Sequence, residues 1–352
     1  MRGMKPALGI VILTAVVAAM SSLAGKGLQW HVVTSGVDTN LRGLSVTPGR
    51  NGDRVWASGS NGVVLRSDEH RAGWKRISVP NGEALDFRSI QAFDENTAYV
   101  MSSGEGEKSR IYKTTDGGTN WSLQFTDQRA AFFLDALVCS AMKRCVALSD
   151  PVDGKFVIVA TTDGEHWTEL PSDRMPAALK DEGAFAASGT CLARGDTPEE
   201  LYFVTGGPAA RMFHSTDFGK TWAVTGTPLA SGNASAGIFS IAIKGATAVI
   251  VGGDYKDPRR TEGVAAYSRD HGKTWTLAAQ QPRGYRSAVA AISARTFVAA
   301  GPTGEDISVD AGAHWKPMDS IALNALSGNG AWAAGAKGTI AMMSVLTSRE
   351  PE

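Results

Sequence analysis

Three arginines occupy what look like corresponding places in short apolar segments: Arg42 in Leu-Arg-Gly-Leu, Arg88 in Phe-Arg-Ser-Ile and Arg286 in Tyr-Arg-Ser-Ala. The matching place in a further segment holds Asp135. A guanidinium is a planar fork of donors that fits carboxylate or phosphate. Arginines brought together from separate elements would therefore make an anion pocket. The alternative is that each one pairs with a nearby carboxylate or lines a wet channel. Charged and aromatic groups gather in three further segments. Ser149-Asp150-Pro-Val-Asp153-Gly-Lys155 carries two carboxylates beside a proline turn. Gly252-Gly-Asp254-Tyr255-Lys256-Asp257-Pro-Arg-Arg260 is long and highly charged. Residues 171–187 hold Arg174, Lys180, Asp181 and Glu182, and lead into Gly183-Ala-Phe-Ala-Ala-Ser-Gly-Thr-Cys191, a run of small residues. Asp153 and Lys256 join the arginines and Asp135 as candidate ligand-binding groups.

Other chemistry is excluded or weakly signalled. The six histidines show no metal-ligand spacing, and Gly-Ser-Asn-Gly at 59–62 is a turn rather than a phosphate loop. No G-x-S-x-G elbow or dinucleotide-binding βαβ unit is visible, so no cofactor is expected. Asp150 and Asp153 could hold Ca²⁺ with backbone carbonyls, or simply cap a solvated turn. Lys plus Arg equals Asp plus Glu at 35 each, which gives no global pull towards nucleic acid.

The elements that must position these groups are repeats. Six segments share a pattern: Ser or Thr, Asp two later, Gly two after that, Trp three further on. Ser215-Thr-Asp217-Phe-Gly219-Lys-Thr-Trp222 and Ser268-Arg-Asp270-His-Gly272-Lys-Thr-Trp275 are the clearest copies. Those around Asp116 and Asp310 also fit, the one around Asp163 is a residue short, and the one at 67–74 is degenerate. In a hairpin turn the hydroxyl and carboxylate accept backbone N–H groups that have no strand partner. Gly supplies positive φ, and Trp anchors the next strand by burial. The five Asp are thus structural.

Between boxes a strand, a Gly-bearing turn and a second strand recur seven times. The last copy, Ala331-Trp-Ala-Ala-Gly-Ala-Lys-Gly-Thr-Ile340, has no box after it. A spare Trp30 near the start completes it if the first strand closes the last unit. Trp-to-Trp spacings of 40 to 55 residues suit four short strands per unit. The expected fold is an all-β, seven-bladed propeller with four-stranded blades over residues 25–346, its ring closed by N- and C-terminal strands. Residues 347–352 are expected to form a disordered tail.

Arg2 and Lys5 precede an apolar run from Ala7 to Met20 and the small residues up to Gly25. That is the layout of a signal peptide, residues 1–24, cleaved after Ala24. Export to the periplasm or beyond follows, with no stable membrane insertion after cleavage, and permits disulfides. Cys139 and Cys145 flank a short connection and would bridge if the hairpin register pairs them. Cys191 is left as the odd thiol.

The boxes and blades resemble the Asp-box propellers, the group that contains sialidases and the photosystem II stability/assembly factor family. The Leu-Arg-Gly-Leu and Phe-Arg-Ser-Ile strands look like the assembly-factor branch, whose members hold a partner protein on an arginine-lined surface. The segments at 150–156, 184–191, 252–258 and 284–287 are similar to a bacterial subgroup of exported propellers. The sialidase side of the resemblance implies an arginine triad of Arg42, Arg88 and Arg286. It also implies a nucleophile pair of Tyr255 or Tyr285 with Glu182, and an acid at Asp150 or Asp254. The sialidase Arg-Ile-Pro motif is missing from the first blade. The combined expectation is a monomeric binding or assembly propeller whose arginine-bearing channel face holds an anionic group of a protein or glycan. The alternative is a glycoside hydrolase acting on an acidic or decorated sugar.

Overall fold

A computed structural model describes residues 28–48, 52–67 and 73–345. Its strands form seven antiparallel sheets arranged as the blades of a propeller. Blades 1 to 6 span residues 41–77, 86–126, 134–169, 192–226, 233–277 and 288–317. Blade 7 takes its three inner strands from residues 323–345 and its outer strand from Leu28–Thr34. In that closure Trp30 pairs with Met343 and Thr34 with Thr339, so the first and last described strands are tied into one sheet. The fifth sheet gains an extra two-residue strand, Gly206–Gly207, reaching across from blade 4. Among the described residues the only helical turns are the 3₁₀ segments Gly106–Lys108 and Ala336–Gly338, and no helix is long and apolar enough to cross a membrane.

In blades 2 to 6 the box turns hold the third and fourth strands together and pack against the blade before. Gly219 N–H donates to Ser215 Oγ at 2.9 Å, and Thr221 N–H to Asp217 Oδ1 at 2.9 Å. The same two bonds recur at Ser268 and Asp270, and at Ser308 and Asp310. Asp116 and Asp163 serve likewise. Gly312 illustrates why the turn needs glycine: its φ is +88°, and a Cβ there would lie 2.9 Å from Val249 of the neighbouring blade.

Burial lies between blades rather than within one. Trp56, Val64 and Ile77 of blade 1 pack on Phe87, Ile90 and Val100 of blade 2, and comparable clusters fill the other gaps. The box tryptophans join these cores; Trp121 stands edge-on to Trp56 at 6.5 Å, and Trp167 edge-on to Tyr99 at 5.9 Å. Cys139 and Cys145 face each other in the first two strands of blade 3 and are joined by a disulfide. Cys191 is a buried free thiol. The expected signal peptide and C-terminal tail lie outside the described residues.

Candidate functional site

The innermost strands carry a common motif: apolar residue, variable residue, small residue, apolar residue. It reads Leu41-Arg42-Gly43-Leu44, Phe87-Arg88-Ser89-Ile90 and Leu134-Asp135-Ala136-Leu137 in the first three blades. It returns as Ile238-Phe239-Ser240-Ile241 in blade 5 and Leu323-Asn324-Ala325-Leu326 in blade 7. In all five the variable residue is the extra one of a bulge, set between two regularly paired neighbours. A bulge re-aims its side chain. These five side chains line one cavity of about 480 Å³ at a mouth of the central channel.

Blade 6 places Arg286 one step out of that register. Gly301 is the counterpart of Gly59: a Cβ on Gly59 would meet Asn40 O and Leu41 Cα, and one on Gly301 would meet Tyr285 O and Arg286 Cα. Arg286 therefore takes the apolar place filled by Leu41 in blade 1, and Ser287 takes the place of Arg42 and lines the cavity. The Arg286 guanidinium is fully buried. It donates to Asp306 through Nε (2.9 Å) and Nη2, and to Tyr285 O and Thr303 Oγ1. The expected triad is thus not assembled. Arg42 and Arg88 share the cavity, and Arg286 is a core ion pair.

Blade 4 departs further. Its inner strand is only Leu192–Arg194, and the small-residue run before it leaves the sheet and crosses the channel. Arg42 Nη1 donates to Ala187 O and Arg88 Nη1 to Ala186 O, each at 3.0 Å. Ser188 Oγ donates to Ser287 O of blade 6, and Thr190 Oγ1 bonds Ser240 Oγ of blade 5. The crossing segment thus touches four other blades and acts as a plug. On its far side a second cavity of about 580 Å³, floored by Gly189 and Thr190, opens on the box-turn face. Small residues are required here because a Cβ on Gly189 would sit 2.9 Å from Ser89 Oγ.

The cavity above the plug is chemically divided. On one side, burial and then the charge of Arg88 lower the pKa of Arg42, and its Nε has no hydrogen-bond partner among the described residues. Arg88 is partly committed, since its Nε donates to Asp86 at 2.7 Å. On the blade 3 side, Asp135 is 1% exposed and neither carboxyl oxygen has a partner among the described residues. Burial and then Asp150 push its pKa well up. Asp150 also lines the cavity, accepts Ala184 N–H at 2.8 Å, and is raised to about 6 by burial. The third side is aromatic. Phe239 stacks on Phe185 at 3.9 Å and meets the ring of Tyr285 edge-on at 4.7 Å, with Tyr255 behind at 6.2 Å. Burial raises the Tyr285 hydroxyl.

The remaining candidates fall elsewhere. Glu182 does not face either tyrosine. Its side chain is fully buried and takes Arg211, Thr205 Oγ1 and the N–H of Leu179. The expected Tyr–Glu nucleophile pair is therefore not formed. Asp254 caps its own loop through Asn233 Nδ2 and Lys256 N–H, and Lys256 is exposed on that loop. Asp153 is exposed at a turn tip with φ +51°, whereas Asp150 is half-buried. Among the described residues no three metal-ligating side chains converge. Phe185, Phe239 and Asn324 were not singled out from the sequence. The inner-strand motif, read for its variable place rather than for arginine, contains the signal for Phe239 and Asn324.

A closed ring of seven blades, with a plugged channel and a polar mouth, defines a β-propeller with an axial candidate site on this face. The chain belongs to the DUF6242 beta propeller domain family, whose model matches residues 49–300. No curated protein matches the sequence. Among solved structures, it is similar to "YCF48 bound to D1 peptide", at 15% identity and TM-score 0.60, over 91% of this chain and 97% of that one. It is also similar to YCF48 from Cyanidioschyzon merolae, at 17% identity and TM-score 0.60, over 89% and 98%. At such identities the likeness is one of fold.

Proposed function

We propose that the protein is an exported binding or assembly propeller that holds an anionic group of a protein or glycan at its channel mouth. The observation that carries this reading is the convergence of Arg42 and Arg88, from the same bulge of adjacent inner strands, on one cavity. The buried and unpartnered Nε of Arg42 adds to it, because a donor left without an acceptor favours a ligand that supplies one. A protein of the same fold has been solved with a peptide bound, which supports a protein partner. The N-terminal charge and apolar pattern supports export, with a mature chain beginning at Gly25.

Two measurements test this. The secreted or periplasmic fraction should yield a chain whose mass and N-terminal sequence start at Gly25; a full-length chain retained with cells would refute export by cleavage. An array of acidic peptides and of sialylated and uronic-acid glycans should then be probed with the mature protein and with its Arg42→Ala/Arg88→Ala variant. The reading expects acidic probes to be retained by the first and lost by the second. Equal retention by both would overturn it.

A further inference from the structure

The sequence motif that places Arg42 and Arg88 at the channel mouth also places Asp135 there, and Asp135 is harder to explain as architecture. A buried polar group in a folded protein almost always finds a partner. Asp135 is 1% exposed, yet neither oxygen makes a hydrogen bond of ordinary geometry among the described residues, and the nearby Asp150 N–H is given instead to Phe133 O at 3.0 Å. The same side chain lines the cavity, which Asp150, Tyr255 and Tyr285 line as well. Arg88 interacts with it electrostatically but is engaged by Asp86 and by the plug.

Resting on the anion-binding reading, we infer that the channel mouth accepts a ligand that carries a primary ammonium group as well as an anion. The anion lies on Arg42 and Arg88, and the ammonium donates to Asp135, with Asp150 beside it. Three features converge on this. Two carboxyls in one low-dielectric pocket cannot both ionise without a cation, so a cationic ligand is what they would favour most. Aromatic faces attract an ammonium through their ring quadrupoles. Unpartnered carboxyl oxygens reward N–H donors, which selects a primary over a quaternary ammonium.

Binding of an ammonium at Asp135 should be linked to proton release. The groups that face Asp135 are Asp150 from its own blade, Arg88 from blade 2 and Cys191 from the segment behind. Burial first, and then the Asp150 carboxyl, raise the Asp135 carboxyl well above its ordinary value in the free protein, which favours its protonated form. An arriving ammonium keeps its own three hydrogens and pairs with the carboxylate, so the Asp135 proton passes to buffer.

The probes are L-phenylalanine, 3-phenylpropanoate, which lacks the ammonium, and 2-phenylethylamine, which lacks the carboxylate. N-acetyl-Ala-Ala-Lys, which has both charges on a chain end, distinguishes a peptide source from a free amino acid. Each is titrated calorimetrically into the mature protein at pH 7 in two buffers of different ionisation enthalpy. The expected result is that a probe with both charges binds about tenfold or more tightly than 3-phenylpropanoate. Every amine that binds should release protons to the buffer. Asp135→Asn should remove the proton release and the advantage of the ammonium. Should that variant not fold, the wild-type probe series and its proton count decide alone. Binding of 3-phenylpropanoate with no gain from an ammonium would overturn this inference and leave the anion reading intact. No binding by any probe would count against both.

Discussion

Replacing Arg286 should cost far more stability than replacing Arg42, although the two residues look alike in sequence. Arg286 is fully buried and Asp306, its partner, is 1% exposed at the side chain. Cutting Arg286 to alanine leaves Asp306 as a buried charge whose remaining ion-pair neighbour is Arg283 Nε at 3.5 Å, itself 42% exposed. Removing one member of a buried pair costs about 3–5 kcal/mol. A partial rescue by Arg283 places the expected loss near the lower end, about 3 kcal/mol. Arg42, by contrast, donates one hydrogen bond to a plug carbonyl and has an unpartnered Nε, so Arg42→Ala should cost about 1 kcal/mol. Urea unfolding followed by tryptophan fluorescence reads both differences, provided the slope of free energy against urea is unchanged. The paired change Arg286→Met/Asp306→Leu should recover most of the loss, because it removes both charges and fills the space. If Arg286→Ala unfolded within 1 kcal/mol of the parent, the placement of Arg286 in the core would be wrong.

The pH dependence of stability should carry the mark of Glu305. Its carboxyl is buried, neither oxygen has a partner among the described residues, and burial and then Asp319 push its pKa up to about 8. A raised carboxyl stabilises fully below the unfolded value of 4.5, and that contribution is lost as pH rises to about 8, by at most about 1.4 kcal/mol per pH unit. Glu305→Gln should flatten the decline between those limits; parallel curves would exclude this role. At the acid end the box carboxylates dominate. Asp116 is held down to about 2, mainly by the Asn120 N–H, and Asp270 to about 2, mainly by the Thr274 hydroxyl. Their contribution is present above 3.8 and lost as pH falls towards 2, so Asp116→Asn/Asp270→Asn should weaken the acid transition, and an unchanged transition would contradict it. Replacing Cys139 and Cys145 together by serine should cost about 2 kcal/mol for so short a loop, and a change below 0.5 kcal/mol on the same urea assay would show that the bridge adds little.

Much of the architecture was legible because it is repetitive. A turn that needs Ser or Thr, Asp, Gly and Trp at fixed offsets writes itself into the chain several times, and Trp30 had no other unit to complete. The candidate site was legible only where it shares that repetition. Arg42, Arg88 and Asp135 sit at equivalent bulges and were aligned correctly, since the small residue after each marks the register. Arg286 was misaligned by one place. A charged residue in the apolar slot, paid for by Asp306 three strands' length away in sequence, mimics the pattern of the others. The plug was least legible. The run Gly183–Cys191 stood out as too small for an inner strand, but its path depends on carbonyl contacts with Arg42 and Arg88, and partners that distant leave no local trace. Glu182 was misread for a similar reason: its partner Arg211 lies 29 residues on.

The most direct test of the channel-mouth account is to watch the guanidinium groups themselves. In ¹⁵N-labelled mature protein, with signals assigned through Arg42→Lys and Arg88→Lys, the Nε–H resonances are followed as 3-phenylpropanoate is added. The account predicts saturable shifts at Arg42 and Arg88 with one shared affinity, and a stationary signal for Arg286, whose Nε–H is already given to Asp306. Shifts confined to exposed arginines such as Arg260, with Arg42 and Arg88 unmoved, would contradict it.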